Sequence, residues 1–206
     1  MTSGSKMREH RRGAHARALL LVAALLGTAV PALALDLTEL MKLLAQRGSG
    51  EARYTEQRWV AGLEQPLRST GTLSFQAPDR LARSTEQPRA ETFVVEGNRV
   101  TMERGGRKRQ MMLDTVPELA AFVAALRGTL TGDTASLQQY FEATVAGTAA
   151  RWSITLRPLE PQLAQVLRQV KLDGQRNELR QLELQLADGD RSRMVIEPLT
   201  APAKAP

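Results

Sequence analysis

The sequence predicts a mainly β protein of the α+β class: an unclosed, strongly curved antiparallel half-barrel of about ten to eleven strands, with helices covering its concave apolar face. Most segments after residue 53 alternate apolar and polar side chains, which is typical of strands. Glycine turns join consecutive segments and favour an antiparallel meander over βαβ units. Because nearly every predicted strand has one apolar face, the sheet must curve around another apolar surface, which the amphipathic helices supply.

The first predicted helix follows directly after residue 35. Asp36 is its expected N-cap, with Glu39 in the first turn, and Gly48 and Gly50 end it. Apolar side chains at i, i+3, i+4 and i+7 place one stripe on a single helix face. The stripe consists of Leu37, Leu40, Met41 and Leu44.

Further helices are predicted in the middle of the chain. One begins near Pro117 and ends at Gly128. Its apolar stripe consists of Leu119, Phe122, Val123 and Leu126. A short helix after Asp133 places Leu137, Tyr140 and Phe141 on one face, and Pro161 begins another helical turn through Leu163, Val166 and Leu167.

The strands are predicted on both sides of these helices. About six precede the helices and about four follow them. Gly97 and Asn98 form the clearest hairpin turn, and Gly105 and Gly106 lead into the next strand. The clearest strand segments are residues 69–75, 91–95, 100–102, 107–113, 151–157 and 182–186, and the segment that holds Met194 and Ile196.

Residues 1–34 have the three parts of a cleavable secretory signal peptide: a basic start, an apolar segment at 18–30 and a small-residue site at 32–34. An N-terminal anchor helix is the less favoured alternative, because the apolar segment is too short to span a bilayer comfortably. Arg11 and Arg12 leave the twin-arginine route open, but the residues after them fit that motif poorly, and the general secretory route is favoured. We therefore expect a soluble, exported mature protein.

Composition excludes several classes of function. Removing residues 1–34 takes away five basic residues and one acidic residue, which lowers the net charge from +6 to +2, so nucleic-acid binding is not expected. The absence of cysteine excludes both disulfides and a lipidated N-terminal cysteine. Both histidines, His10 and His15, lie in the predicted signal peptide, so histidine-based catalysis and His/Cys metal sites are not expected. Paired carboxylates stay possible, but no spacing singles out a pair.

Three segments together resemble the LolA-like family, the periplasmic carriers of outer-membrane lipoproteins and their relatives. They are Tyr-Thr-Glu-Gln at 54–57, the strand and turn at 71–81 with its Gly-Thr-Leu-Ser-Phe start, and the hairpin at 93–100. The similarity follows the order of elements over the whole mature chain. It implies one LolA-like lipid-carrier domain at residues 35–198, followed by a Pro/Ala-rich tail at 199–206 that we expect to be disordered.

The resemblance implies a non-enzymatic carrier in the periplasm. Such a protein would bind acyl chains of a lipoprotein or lipid in an apolar cavity and carry them toward the outer membrane, without a cofactor or a metal. It would act as a monomer, with an inner-membrane donor protein and an outer-membrane acceptor protein as further partners. Two alternatives stay open: an envelope interaction or sensor domain with the same fold and no transported ligand, and a carboxylate-dependent periplasmic enzyme.

Two sets of residues are the candidate site. The predicted cavity wall consists of Leu73, Phe75, Phe93, Val95, Met102, Met111, Leu113, Trp152, Ile154 and Leu156. The predicted lid over the cavity consists of Leu119, Phe122, Val123 and Leu126. The alternatives are an ordinary filled core and a helix fixed on that core, because periodicity alone does not separate a cavity wall from packed interior.

One position departs from the family pattern. Lipoprotein carriers of the family typically have an arginine immediately before the proline that ends the second strand, where it helps to hold the lid. Here Ala77 precedes Pro78, and Arg80 and Arg83 lie nearby without occupying that position. The resemblance therefore implies a divergent branch with a more weakly held lid.

The densest basic cluster of the mature chain lies at the turn between two predicted strands. It could bind an anionic lipid headgroup, a membrane surface or an acidic partner, and the alternative is an ordinary solvated hairpin. The cluster consists of Arg104, Arg107, Lys108 and Arg109.

Overall fold

The computed structural model describes residues 35–199, so the predicted signal peptide lies outside the described residues, as does the predicted tail except for Leu199. The described chain forms one unclosed antiparallel sheet of eleven strands with four α-helices, which confirms the predicted fold class. The strands are β1 Ser49–Trp59, β2 Leu67–Gln76, β3 Arg80–Gln87, β4 Glu91–Glu96, β5 Arg99–Arg104, β6 Arg107–Met112, β7 Phe141–Thr148, β8 Arg151–Pro158, β9 Leu167–Gln175, β10 Glu178–Leu186 and β11 Arg191–Pro198. The helices are α1 Leu37–Ala45, α2 Pro117–Thr131, α3 Thr134–Tyr140 and α4 Pro161–Ala164, and a 3-10 turn covers Leu113–Thr115.

The strand order across the sheet is β6-β5-β4-β3-β2-β1-β11-β10-β9-β8-β7. Neighbouring strands are consecutive in the chain except for β1 and β11, which pair in the middle of the sheet. The edge strands are β6 and β7, and the connection between them carries α2 and α3. The two edges are therefore linked by helices instead of hydrogen-bonding to each other, and the sheet stays open.

Helix α1 begins and packs as its sequence predicts. The Asp36 side chain accepts a hydrogen bond from the backbone N–H of Glu39 at 2.7 Å, which satisfies one of the free donors in the first helical turn. Leu40, Met41 and Leu44 are buried, so the predicted apolar stripe is the face that joins the core.

Helix α2 runs three residues beyond the predicted end at Gly128, and that prediction was wrong. The helix ends at Gly132, whose φ of +74° is the left-handed conformation typical of a glycine cap. Gly128 lies inside the helix because another chain segment passes close to it: an added Cβ would lie 3.2 Å from the Cβ of Leu137. Gly128 therefore allows close packing against Leu137 and does not end the helix.

Three further boundaries differ from the predictions. Phe141 begins β7 instead of completing the third helix, so five strands follow the helices. The inward positions of β7 after Phe141 are the small residues Ala143, Val145 and Gly147, which give a weak alternation signal. Leu113 lies in the 3-10 turn after β6, and Leu167 begins β9.

The buried residues form two clusters. The main core combines residues of β1 and β7–β11 with residues of α1, α3 and α4, among them Leu40, Leu137 and Leu163. The smaller cluster joins β4, β5, the 3-10 turn and α2 through Val95, Val100, Leu113 and Val123. One half of the sheet is therefore covered by three helices, and the other half is covered by α2.

Candidate functional site

An apolar cavity of about 950 Å³ lies between α2 and the inner face of the sheet. Its volume is at the upper end of the range of roughly 300–1,000 Å³ that is typical of small-molecule sites. Strands β1–β4, β10 and β11 supply one wall and α2 supplies the other. The principal apolar lining residues are Ala52, Leu73, Phe75, Leu81, Phe93, Val95, Leu119, Phe122, Val123, Leu126, Leu130, Leu182, Met194 and Ile196.

The structure divides the predicted cavity wall into three groups. Leu73, Phe75, Phe93 and Val95 line the cavity. Met102, Met111 and Leu113 belong to the smaller cluster beside it. Trp152, Ile154 and Leu156 do not line the cavity, because they lie in the main core with exposed fractions of 0–2 %.

Trp152 shows why the third group is packed. Its indole Nε1 donates a hydrogen bond to the backbone carbonyl of Arg176 at 2.8 Å, and its ring lies against Gly174, where an added Cβ would come within 2.1 Å of the ring. The inner face of β8 has the same alternation as β2 and β4, but the helices packed on that side of the sheet fill the space in front of it.

All four predicted lid residues face the cavity. Leu119, Phe122, Val123 and Leu126 line it, together with Leu130 in the last turn of α2, which the prediction missed because it ended the helix at Gly128. The opposite side of α2 carries small residues. Ala121 and Ala125 are buried in the main core with Leu40 and Leu137, so α2 separates the packed interior from the cavity.

An arginine on α2 connects this helix to two turns of the sheet. The Arg127 Nη2 group donates hydrogen bonds to the backbone carbonyls of Asp79, in the β2–β3 turn, and of Gly97, in the β4–β5 turn at 2.8 Å. Burial lowers the pKa of Arg127, and the carboxylate of Asp79 partly opposes this effect. Ala77 has no side-chain donor, but Arg127 reaches the same turn from the helix side.

A polar network crosses four neighbouring strands on the inner face. Arg83 of β3 contacts Glu56 of β1 through Nη2 and Oε2 at 2.6 Å, and its Nε donates to the Tyr54 hydroxyl at 3.0 Å. Glu56 also accepts hydrogen bonds from Ser69 of β2 at 3.1 Å and Ser192 of β11 at 2.5 Å. The network therefore joins β3, β2, β1 and β11, and two of its members, Ser69 and Arg83, line the cavity.

Both charged groups of this network are stabilised in their ionised forms. Burial by itself raises the pKa of Glu56, but the hydrogen bond from Ser192 and the positive charge of Arg83 outweigh it, so the pKa is lowered overall. Burial by itself lowers the pKa of Arg83, but the Glu56 charge and the Tyr54 hydrogen bond outweigh it, so the pKa is raised. The pair is held as a carboxylate and a guanidinium.

Charged residues also line the rim of the cavity at the β3–β4 turn. Arg89 lies in this turn, and Arg104 lies at the end of β5, where its Nε is 4.0 Å from Glu91. Of the basic cluster predicted from the sequence, Arg104 reaches the cavity, whereas Arg107, Lys108 and Arg109 are exposed on edge strand β6.

The grouping of charged and apolar side chains in residues 35–199 bears on two other kinds of site. In this range, no three His, Asp or Glu side chains are grouped so that they could hold a metal ion. No helix in the same range is long and apolar enough to cross a membrane.

The described residues form an open antiparallel half-barrel that holds an apolar cavity under a helix, which is the geometry of a ligand-binding site. A sequence model of the family described as "Outer membrane lipoprotein carrier protein LolA-like" matches residues 29–205, and the chain belongs to this family. Proteins of this superfamily bind or carry ligands.

The solved structures to which this chain is similar have low sequence identity to it. A LolA superfamily protein from Nitrosomonas europaea is 7% identical, with 82% of this chain and 96% of that chain covered and a TM-score of 0.41. MucB in the Pseudomonas aeruginosa MucA/MucB complex is 15% identical, with coverages of 82% and 59% and a TM-score of 0.44. An outer-membrane lipoprotein-sorting protein domain from Vibrio parahaemolyticus is 7% identical, with coverages of 81% and 94% and a TM-score of 0.39. Comparison with curated protein sequences finds no significant match.

Proposed function

We propose that the protein is a soluble periplasmic carrier that binds acyl chains of a lipoprotein or lipid in the apolar cavity and carries them toward the outer membrane. In this proposal residues 1–34 are removed as a signal peptide and residues 35–198 form the carrier domain. The carrier is a monomer that receives its ligand from an inner-membrane protein and delivers it to an outer-membrane protein. The observation that carries the proposal is the apolar cavity of about 950 Å³ under α2.

The cavity is unusual for a domain of this size. Protein interiors are packed as densely as organic crystals, and unfilled apolar volume destabilises the fold. Here Leu73, Phe93 and Phe122 are only partly buried although they face the inside of the half-barrel. A bound acyl chain would fill this volume and remove these side chains from water, which is favourable by roughly 25 cal/mol per Å² of apolar surface.

The carboxylates near the cavity do not favour an enzyme. Both oxygens of Glu56 already accept hydrogen bonds, and its lowered pKa means that it holds no proton for a general acid to donate. Glu91 is half-buried at the rim, 4.0 Å from Arg104. The membership of a family of binding and carrier proteins agrees with a non-catalytic role.

An envelope interaction or sensor domain with the same fold is the second candidate. The observation in its favour is the open sheet, because β6 and β7 each pair with a neighbouring strand on one side. A partner could add a strand to such an edge without using the cavity. In β6 the exposed residues Arg107, Lys108 and Arg109 make an uncharged partner strand unfavourable, so β7 is the better edge.

The test is the composition of the protein purified from its own cell envelope. We expect native mass spectrometry to show a mass above that of the polypeptide, and organic extraction to release a lipid or a lipoprotein acyl chain. A protein that is free of lipid, and that takes up no acyl ligand when mixed with envelope lipids, would contradict the carrier proposal and favour the interaction domain.

A further inference from the structure

The inner face of β2–β5 changes from apolar to charged over three successive rows of cross-strand partners. Residues paired across an antiparallel sheet share a face, and successive rows on one face are about 7 Å apart. The row nearest the turns held by Arg127 is wholly apolar, the middle row contains one arginine, and the last row is polar. The rows are Phe75–Leu81–Val95–Val100, Leu73–Arg83–Phe93–Met102 and Gly71–Thr85–Glu91–Arg104.

We propose that the cavity binds an amphiphile with an anionic headgroup, whose phosphate or carboxylate contacts Arg83, Arg89 and Arg104 while its acyl chain extends toward Phe75 and Leu81. This inference rests on the proposed carrier function and names its ligand class. It follows from the direction of the three rows, because one end of the cavity suits a hydrocarbon chain and the other suits a negative charge.

Arg83 is held in a fixed orientation in the cavity wall. Its Nε and Nη2 atoms are bound by Tyr54, Glu56 and Ser69, and its guanidinium carbon lies 4.7 Å from the centre of the Tyr54 ring. Among residues 35–199, Nη1 has no hydrogen-bond partner and is not enclosed, and the side chain is 34% exposed. A guanidinium held in this way offers donors to a phosphate or carboxylate with little further loss of side-chain freedom.

The charges around Arg83 favour an anion. Glu56 compensates Arg83 itself, so the excess charge comes from Arg89 and Arg104 at the rim. Within residues 35–199, the carboxylates that line the cavity are Glu51 on β1 and Glu91 at this rim, and the distance of 4.0 Å between Glu91 and Arg104 is at the limit of an ion pair. The described part of the chain places no carboxylate within ion-pair distance of Arg89. An anionic headgroup would compensate this excess.

The test compares two ligands with the same chain and different headgroups. Myristoyl lysophosphatidylglycerol is anionic, myristoyl monogalactosylglycerol is a neutral lysolipid without a phosphate, and glycerol phosphate represents the headgroup alone. Titration calorimetry on the delipidated protein should give roughly tenfold tighter binding of the anionic lysolipid, because one charge-assisted contact has about this effect. Glycerol phosphate alone should bind far more weakly than either lysolipid, because the apolar contacts supply most of the affinity.

The double variant Arg89→Gln/Arg104→Gln should remove most of the preference, because both side chains lie at the cavity rim. The matched control is Arg99→Gln/Lys108→Gln, which removes the same charge on the outer face of β5 and β6, where alternation places these residues. Both variants change exposed side chains, and thermal denaturation should show that both fold.

Each outcome distinguishes the headgroup inference from the carrier proposal. Equal affinity of the wild-type protein for the two lysolipids would overturn the anionic headgroup and leave the carrier function intact. Equal loss of preference in the control variant would show a long-range charge effect and overturn the assignment to Arg89 and Arg104. Binding of neither lysolipid would overturn both proposals, and binding of glycerol phosphate as tightly as the lysolipid would show a free anion site without an acyl ligand.

Discussion

Apolar and polar side chains alternate along the strands in both halves of the sheet, but the space in front of the inner face is filled in one half and open in the other. In the β7–β11 half, Ile154, Leu156 and Leu172 are fully buried, because α1, α3 and α4 pack against that side. In the β1–β6 half, Leu73, Phe93 and Met102 stay partly exposed beneath α2. Strands β7–β9 therefore face a packed core that supports the fold, whereas β1–β4 form a wall with room for a ligand. Leu182, Met194 and Ile196 of β10 and β11 lie at the boundary and complete this wall.

The difference shows that the covering helices, and not the strands, decide which half is filled. Helix α2 can serve both halves because its two sides differ in side-chain size. Ala121, Ala125 and Gly128 let it approach the packed helices closely, whereas Phe122 and Leu126 extend into the cavity. A change in either half should therefore affect a different property of the protein, stability in one half and ligand binding in the other.

The largest effect on stability is expected in the packed half. Leu156→Ala should lower the free energy of unfolding by about 2–5 kcal/mol, because it leaves a cavity where the side chain has no exposure. Urea denaturation measures this loss, and the affinity for an acyl ligand should be unchanged in the folded fraction. A loss of affinity without a loss of stability would contradict the division into two halves.

The second effect concerns the connection between α2 and the turns of the sheet. Arg127→Gln removes the charged donor shared by the Asp79 and Gly97 carbonyls. Hydrogen bonds that involve a charged group contribute about 1.5–3 kcal/mol, so the loss should accelerate ligand release roughly tenfold or more if α2 must move for release. Stopped-flow displacement of a fluorescent fatty acid measures the release rate.

The position of Ala77 provides a rescue experiment for this connection. If the family geometry applies, Ala77→Arg in the Arg127→Gln background should slow release again, because it restores a donor beside α2 from the sheet side. Failure of Arg127→Gln to change the release rate would show that α2 is fixed and that ligands enter and leave at the open rim beside Arg89 and Arg104.

The Glu56–Arg83 pair makes the cavity half sensitive to acid. The pKa of Glu56 is lowered in the folded protein, so its contribution to stability is fully present above its unfolded pKa of about 4.3 and is lost as the pH falls through the folded value. We expect the wild-type protein to lose more stability between about pH 5 and pH 3 than Glu56→Gln, which cannot titrate. Equal pH profiles in thermal denaturation would show that this pair does not stabilise the fold.

The sequence predicted which residues face inward more reliably than what lies in front of them. Alternation placed Trp152 and Phe93 correctly on inner faces, since both positions follow from the period of two. It gave no information on which helix packs on which strands, because that depends on contacts between residues far apart in the chain. The network around Arg83 was missed for the same reason, as its members come from β1, β2, β3 and β11.

Glycine was the second source of error. Gly128 has the sequence signature of a helix end, but the close approach of Leu137 explains it equally well, and only the three-dimensional contact separates the two. The same error removed Leu130 from the predicted lid. Arg127, which precedes Gly128, was not recognised as a contact to the sheet. Its partners are backbone carbonyls, which no side-chain motif reveals.

The smallest effect on stability, and the most specific effect on binding, is expected for Phe93→Ala in the cavity wall. Phe93 is only partly buried, so truncation should lower the free energy of unfolding by about 1 kcal/mol, well below the loss for Leu156→Ala. The affinity for myristoyl lysophosphatidylglycerol should fall roughly five- to tenfold, because the aromatic ring provides apolar surface next to Arg83. The matched control is Val94→Ala, one residue away on the opposite face of β4, which should leave the affinity unchanged. A large fall in melting temperature with unchanged affinity for Phe93→Ala would mean that this half of the sheet is a filled core in solution, like the β7–β11 half, and that the ligand binds elsewhere.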